Sequence, residues 1–166
     1  LKIDKTPPVV ESFKWNTNAA SNGKYYNTTR TATITVRERN FDQNQVRLNL
    51  TNTDGTMPQI SNWTVDKSGT SDENLNICTV TFAADGDYTM SMSCTDLAGN
   101  TSNTVTENEF TIDKTVPRLN VSFDNNSVKN GKYYDAARTA TITVDEHNFN
   151  GSDVNTAIKT GEIVWA

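Results

Sequence analysis

The side chains best placed for chemistry in this sequence are carboxylates and amides. Asp4, Glu38 and Asp96 occupy positions that, in a sandwich of antiparallel strands, fall on the incoming linker, the loop after Val36 and the turn after Cys94, with Asn40 and Asn100 close by. Those three segments gather at one pole. The first two acids recur as Asp113 and Glu146. Hard oxygen ligands converging between modules suit Ca²⁺, which takes roughly six to eight of them, and such an ion stiffens a linker. The plainer reading of the same residues is that Asp4 and Asp113 begin turns before proline while Glu38 is a solvated loop residue.

Other chemistry is harder to assemble. His147 is the only histidine, and Arg39 stands at the matching position earlier in the chain. A histidine-based triad or a zinc site with several imidazoles therefore has no raw material. A carboxylate pair for glycoside cleavage is compositionally available, but nothing suggests an open cleft, and the expectation is a chain that is not an enzyme. Cys78 and Cys94 lie in phase with inward-facing neighbours, on strands joined by the Asp85-Gly86-Asp87 corner. They read equally as a disulfide closing a short loop, contributing about 3 kcal/mol, or as two buried thiols filling core space. Tyr88, just after that corner, is similar to the tyrosine corner of sandwich proteins, in which the phenol ties a loop back to its own strand. Trp15, Trp63 and Trp165 could form a sugar-stacking platform, although Trp15 falls on the inward face of its strand and Trp63 fits a packed strand as well.

Short strands must position these residues. Hydrophobic residues make up only 34% of the 166, and 26 Thr with 21 Asn fill the deficit with small polar groups rather than charge. The apolar residues fall into alternating runs, as a thin sandwich requires when one face of each sheet is buried. Val9, Phe13 and Trp15 are expected on one face of the first strand. Ala32, Ile34 and Val36 alternate with threonines, and Val46, Leu48 and Leu50 form a third run. Cys78, Val80 and Phe82, then Tyr88, Met90, Met92 and Cys94, and finally Phe110 and Ile112, complete an all-β set. The net charge of −5 comes with no basic block, so nucleic acid is not an expected partner. No apolar stretch approaches the roughly 20 residues of a spanning helix, so no membrane insertion is expected of this fragment.

Self-comparison gives the organisation. Ile3-Asp4-Lys5-Thr6 returns as Ile112-Asp113-Lys114-Thr115, 109 positions on, and Arg30 to Val36 returns unchanged as Arg138 to Val144, 108 positions on. Gly23-Lys24-Tyr25-Tyr26 returns as Gly131-Lys132-Tyr133-Tyr134. The one-residue difference is expected near Pro7-Pro8. A period of this size suits one sandwich domain. The expected domains are residues 1–5 as the end of a preceding module, 6–113 as a complete one, and 114–166 as the first half of another. That half would expose an apolar face and unpaired edges, and is expected to be covered by a neighbouring chain or to pack irregularly on the first module. The segment Ile158 to Trp165 has no match earlier in the chain and is expected to be a strand.

Phe110 to Pro117, the turn Thr95 to Asn100 and the corner Asp85 to Tyr88 resemble bacterial immunoglobulin-like repeats, which build the stalks of surface adhesins and cell-wall proteins. The resemblance implies immunoglobulin-like antiparallel β-sandwich repeats in tandem, an extracellular location on a cell surface or cell wall, and adjacent modules of the same protein as partners. It also implies calcium at module junctions, as some such repeats hold. The expected function is a non-catalytic structural or adhesion module of a repetitive stalk. The alternatives are a module binding a host glycan or matrix protein, or an accessory module of a secreted polysaccharide-degrading enzyme.

Overall fold

The computed structural model describes residues 3–67 and 74–154. The expected strand from Ile158 to Trp165 lies outside these described residues. The chain divides into two compact units, Leu1–Lys114 and Thr115–Ala166. The fold is all-β, as the alternating runs require, with several antiparallel sheets.

Among the described residues the first unit contains ten strands: β1 (Val9–Val10), β2 (Lys14–Trp15), β3 (Tyr25–Tyr26), β4 (Arg30–Arg37), β5 (Val46–Asn52), β6 (Gln59–Ile60), β7 (Thr64–Asp66), β8 (Leu75–Phe82), β9 (Gly86–Cys94) and β10 (Val105–Ile112). One sheet has β4 against β8, with β1 and β2 on the outer side of β4 and β6 and β7 on the outer side of β8. The other runs β3-β10-β9-β5. All pairs are antiparallel except β3 with β10.

The threonine-interleaved pattern explains the core. Successive side chains of a strand point to opposite faces, so Ala32, Ile34 and Val36 are fully buried while Thr31, Thr33 and Thr35 lie half-buried on the outer face. Val80 and Phe82 of β8, Tyr88, Met90 and Met92 of β9, and Phe110 and Ile112 of β10 join them in one cluster.

The first strand corrects two expectations. Val9 is 48% exposed and Val10 faces the core at 4%, although the sequence pattern puts Val9 inside with Phe13 and Trp15. Val10 stands opposite Val36, and Lys14 opposite Thr33. Four steps on one strand thus face three on the other, which is a bulge, and a one-residue slip reverses which side chains face inward. In the second unit β11 (Arg118–Phe123) runs unbroken against β12 (Ala140–Asp145), with Leu119 opposite Val144 and Phe123 opposite Ala140. The extra residue of the first unit therefore lies between Val10 and Lys14 rather than near Pro7-Pro8.

A charged residue sits within the apolar end of the first unit. Arg30 is 3% exposed. Its guanidinium carbon lies 3.7 Å from the Trp15 ring centre, 4.4 Å from that of Tyr26 and 4.6 Å from that of Phe110. Nε donates to the Thr17 carbonyl at 3.3 Å, Nη2 donates to Asn18 Oδ1 at 3.3 Å, and Glu107 stands 3.9 Å away. Trp15 Nε1 also donates to Glu107, at 3.0 Å. Buried charge is tolerated only when paired and hydrogen-bonded, and here three rings, two loop oxygens and a carboxylate meet that condition. The second unit repeats the start of this arrangement. Arg138 lies 3.7 Å from the ring centre of Phe123 and 4.3 Å from that of Tyr134, donating to the Asn125 carbonyl at 2.6 Å and to Asn126 Oδ1 at 2.8 Å.

Candidate cation-binding pole

Three loops of the first unit meet where β4 and β9 end. Asp4 lies on the incoming segment, where its Oδ1 accepts from the Thr6 amide at 3.0 Å, the local turn that the following Pro7-Pro8 favours. Glu38 follows β4 directly and is 6% exposed. Its Oε1 accepts from the Asn40 amide at 2.6 Å. Asp96 lies just past β9 and is likewise buried; its Oδ1 accepts from the amides of Ala98 at 2.8 Å and Asn100 at 2.9 Å, and its Oδ2 from Asn100 Nδ2 at 2.8 Å.

Two asparagines tie these turns together. Asn40 Nδ2 donates to Asp4 Oδ2, and Asn100 Nδ2 to the Asp4 carbonyl at 3.4 Å. The Leu97 amide donates to the Asn40 carbonyl at 3.2 Å. One carboxylate oxygen from each of Asp4, Glu38 and Asp96 lies within 4.8 Å of the other two. Oxygens bound to one Ca²⁺ at about 2.4 Å stand at most about twice that distance apart, so the spacing fits a shared ion. Three acids at such a spacing repel one another. Burial, then the charges of Asp4 and Asp96, push the Glu38 carboxyl above its ordinary value, with the Asn40 and Arg39 amides working the other way. Burial acts in the same direction on Asp96, but the side chain and amide of Asn100 and the amides of Ala98 and Gly99 outweigh it and hold that carboxyl low.

The remaining sequence-derived acids are elsewhere. Asp113 follows β10, where its amide donates to the Tyr26 carbonyl at 2.9 Å. Within the first unit this is the opposite end from Asp4. Glu146 belongs to the second unit, where its Oε1 accepts from the Asn148 amide at 2.9 Å, the same local turn as at Glu38 and Asn40. Asp4, expected with residues 1–5 as the tail of a preceding module, is bonded into the first unit.

Cys78 on β8 and Cys94 on β9 are free and buried, each on a different sheet. Burial pushes the Cys78 thiol up to about 11 and raises Cys94 as well, against a hydrogen bond with Ser102. Tyr88 Oη donates to the Ala84 carbonyl at 2.8 Å and accepts from Asn52 Nδ2 at 3.1 Å. Trp15 packs on the core, and Trp63 packs beside Phe41 with ring centres 4.8 Å apart; Trp165 lies outside the described residues. His147 is exposed in a turn.

Two buried polar residues carry positions that sequence reasoning missed. Asn76 donates through Nδ2 to the Glu38 carbonyl at 2.8 Å and so holds the turn that presents this acid. Arg30 is the other. The available signal was the same for both: a polar residue in phase with inward-facing neighbours, Asn76 with Cys78 and Val80, Arg30 with Ala32 and Ile34. Comparison of the chain with known protein families, curated proteins and solved structures returned no match.

Proposed function

We propose that this chain is a non-catalytic structural or adhesion module of a repetitive extracellular stalk, built from immunoglobulin-like β-sandwich repeats in tandem, on a cell surface or in a cell wall. The observation that carries this reading is where the backbone enters and leaves the first unit. Asp4 is tied to Asn100, just beyond the Cys94 end of β9, whereas Ile112 pairs with Gly86 at the other end of the same strand. Nine residues of β9 at about 3.4 Å each separate the two ends by roughly 30 Å. A unit that takes the chain in at one pole and releases it at the other adds length to a series, as a spacer must.

The acid pole supports the same reading. Calcium is the ion that Asp4, Glu38 and Asp96 suit, since all three offer hard oxygens and one of them lies on the incoming segment. A bound ion would fix that segment against the ends of β4 and β9. Adjacent modules of the same protein are the partners that this role implies.

The test is a binding screen of the folded chain against immobilised glycans and matrix proteins. Silence across the screen is the expected result. A saturable, competable signal would overturn the spacer reading in favour of a ligand-binding module.

A further inference from the structure

The two sheets of the first unit have four edges among the described residues, and three of them are interrupted. The bulge separates β1 from β2, Ser61 to Trp63 separate β6 from β7, and β3 is two residues long. Breaks, bulges and short edge strands keep one protein from adding to the sheet of another. The fourth edge lacks these devices. β5 runs unbroken for seven residues from Val46 to Asn52, with no proline, no glycine and Arg47 as its one charge.

Register shows which backbone groups this edge presents. The Thr53 amide donates to the Asp87 carbonyl at 3.2 Å, and the Thr95 amide to the Gln45 carbonyl at 3.2 Å. Bonded positions alternate along an antiparallel pair, so the odd-numbered residues of β5 bond β9. Val46, Leu48, Leu50 and Asn52 therefore turn their amides and carbonyls to the other side, where no strand pairs among the described residues. Their side chains stand opposite Cys94, Met92, Met90 and Tyr88 and are half-buried, while Arg47, Asn49 and Thr51 are exposed. Charge differs between the two ends of the strand. Arg47 lies near its start and Asp54 just beyond its end, and both are exposed.

We propose that the outer edge of β5 pairs with β5 of a second copy of this chain, antiparallel about a two-fold axis at Leu50. The β3-β10-β9-β5 sheet then continues through the axis into that of the second copy. Charge selects both the partner and the register. Antiparallel pairing sets the basic end of one β5 against the acidic end of the other, so one kind of strand supplies both halves of two symmetric ion pairs. With the axis at Leu50, Arg47 stands opposite the second copy's Thr53 and beside its Asp54. An axis at Asn49 would bring that Asp54 nearer to Asp42 than to Arg47, and like charges set across a strand pair destabilise it. A single strand pair lies at the small end of protein interfaces, so the dimer is reversible and concentration-dependent. The inference rests on the edges of the first unit and not on the spacer reading.

The test is sedimentation velocity of the full chain from micromolar to millimolar concentration, with amide hydrogen exchange measured at the two extremes. A reversible monomer–dimer equilibrium is expected. At the higher concentration exchange slows at the outward amides of Leu48, Leu50 and Asn52, and is unchanged at Asn49 and Thr51, whose amides already bond β9. Arg47→Asp or Asp54→Arg alone weakens the dimer roughly tenfold, because each substitution acts twice across the axis. The two together restore it. Both positions are exposed, so circular dichroism of the variants is expected to match that of the unsubstituted chain. A chain that stays monomeric, a dimer indifferent to the charge substitutions, or slowed exchange confined to strands other than β5 overturns the proposal.

Discussion

Glu38 is subject to opposing influences, and their signs can be worked out. Burial and the charges of Asp4 and Asp96 raise its carboxyl above the ordinary 4.5. A carboxyl raised in the folded state stabilises the fold below the unfolded value, and that contribution is lost as pH climbs through the folded value. Asp96 behaves oppositely: its lowered carboxyl stabilises the fold above the ordinary 3.8, and this is lost as pH falls through the folded value. Glu38→Gln is therefore expected to raise the melting temperature in chelator at neutral pH. The same substitution removes a calcium response of several degrees that the unsubstituted chain should show in millimolar calcium, because a ligand that binds only the folded state stabilises it. Melting curves at pH 7 with and without calcium check both; an indifferent unsubstituted chain would end the calcium reading. Gly86 makes a second residue-scale case. It sits at φ +140, and a Cβ there would stand 2.1 Å from Asn52 Oδ1, on the side chain that also bonds Tyr88. Gly86→Ala should cost roughly 2–3 kcal/mol in urea unfolding. Gly23→Ala, at φ +87 with open space around it, should cost only about 1 kcal/mol.

At the level of elements, the bulge between β1 and β2 gives a prediction of tolerance rather than damage. Deleting Ser12, which is exposed, brings Val10, Phe13 and Trp15 into strict alternation, the arrangement that Leu119, Val121 and Phe123 already have in β11. The expected change in stability is within about 1 kcal/mol, since register to either side is kept. Removing Thr33 from β4, where Lys14 pairs on one side and Thr79 on the other, should unfold the unit. Urea titrations of the two deletions separate these outcomes. The same elements mark how far the sequence was legible. The runs of β4, β8 and β9 are long enough to show a two-residue period, so their faces could be read directly. β1, β2, β3, β6 and β7 are two or three residues long and carry no period, and the bulge reversed the face assigned to β1 while Phe13 and Trp15 beyond it face the core as expected. The acid pole was legible because chain connectivity alone brings the three loops together. Asn76 and Arg30 were not, because whether a polar residue in a core phase is satisfied depends on partners from other strands.

For the whole molecule, burial predicts where stability resides. Among the described residues, the fully buried ones all belong to the first unit, and the only paired strands of the second unit are β11 and β12. Native-state hydrogen exchange should therefore find its slowest amides in β4, β8, β9 and β10. The amides of β11 and β12 should exchange at least a hundredfold faster, since a lone pair of strands is marginal in water. Equal protection in both units would contradict this. The opposed poles of the first unit carry a mechanical consequence as well. Tension applied between Asp4 and Lys114 acts along β9 and its neighbours, so the backbone bonds joining β10 to Lys24 and Tyr26 on one side and to β9 on the other are sheared together rather than peeled apart singly. A force that would unzip a hairpin one rung at a time must here break a whole ladder at once, and the sandwich resists being drawn out lengthwise more strongly than its thermal stability alone would suggest.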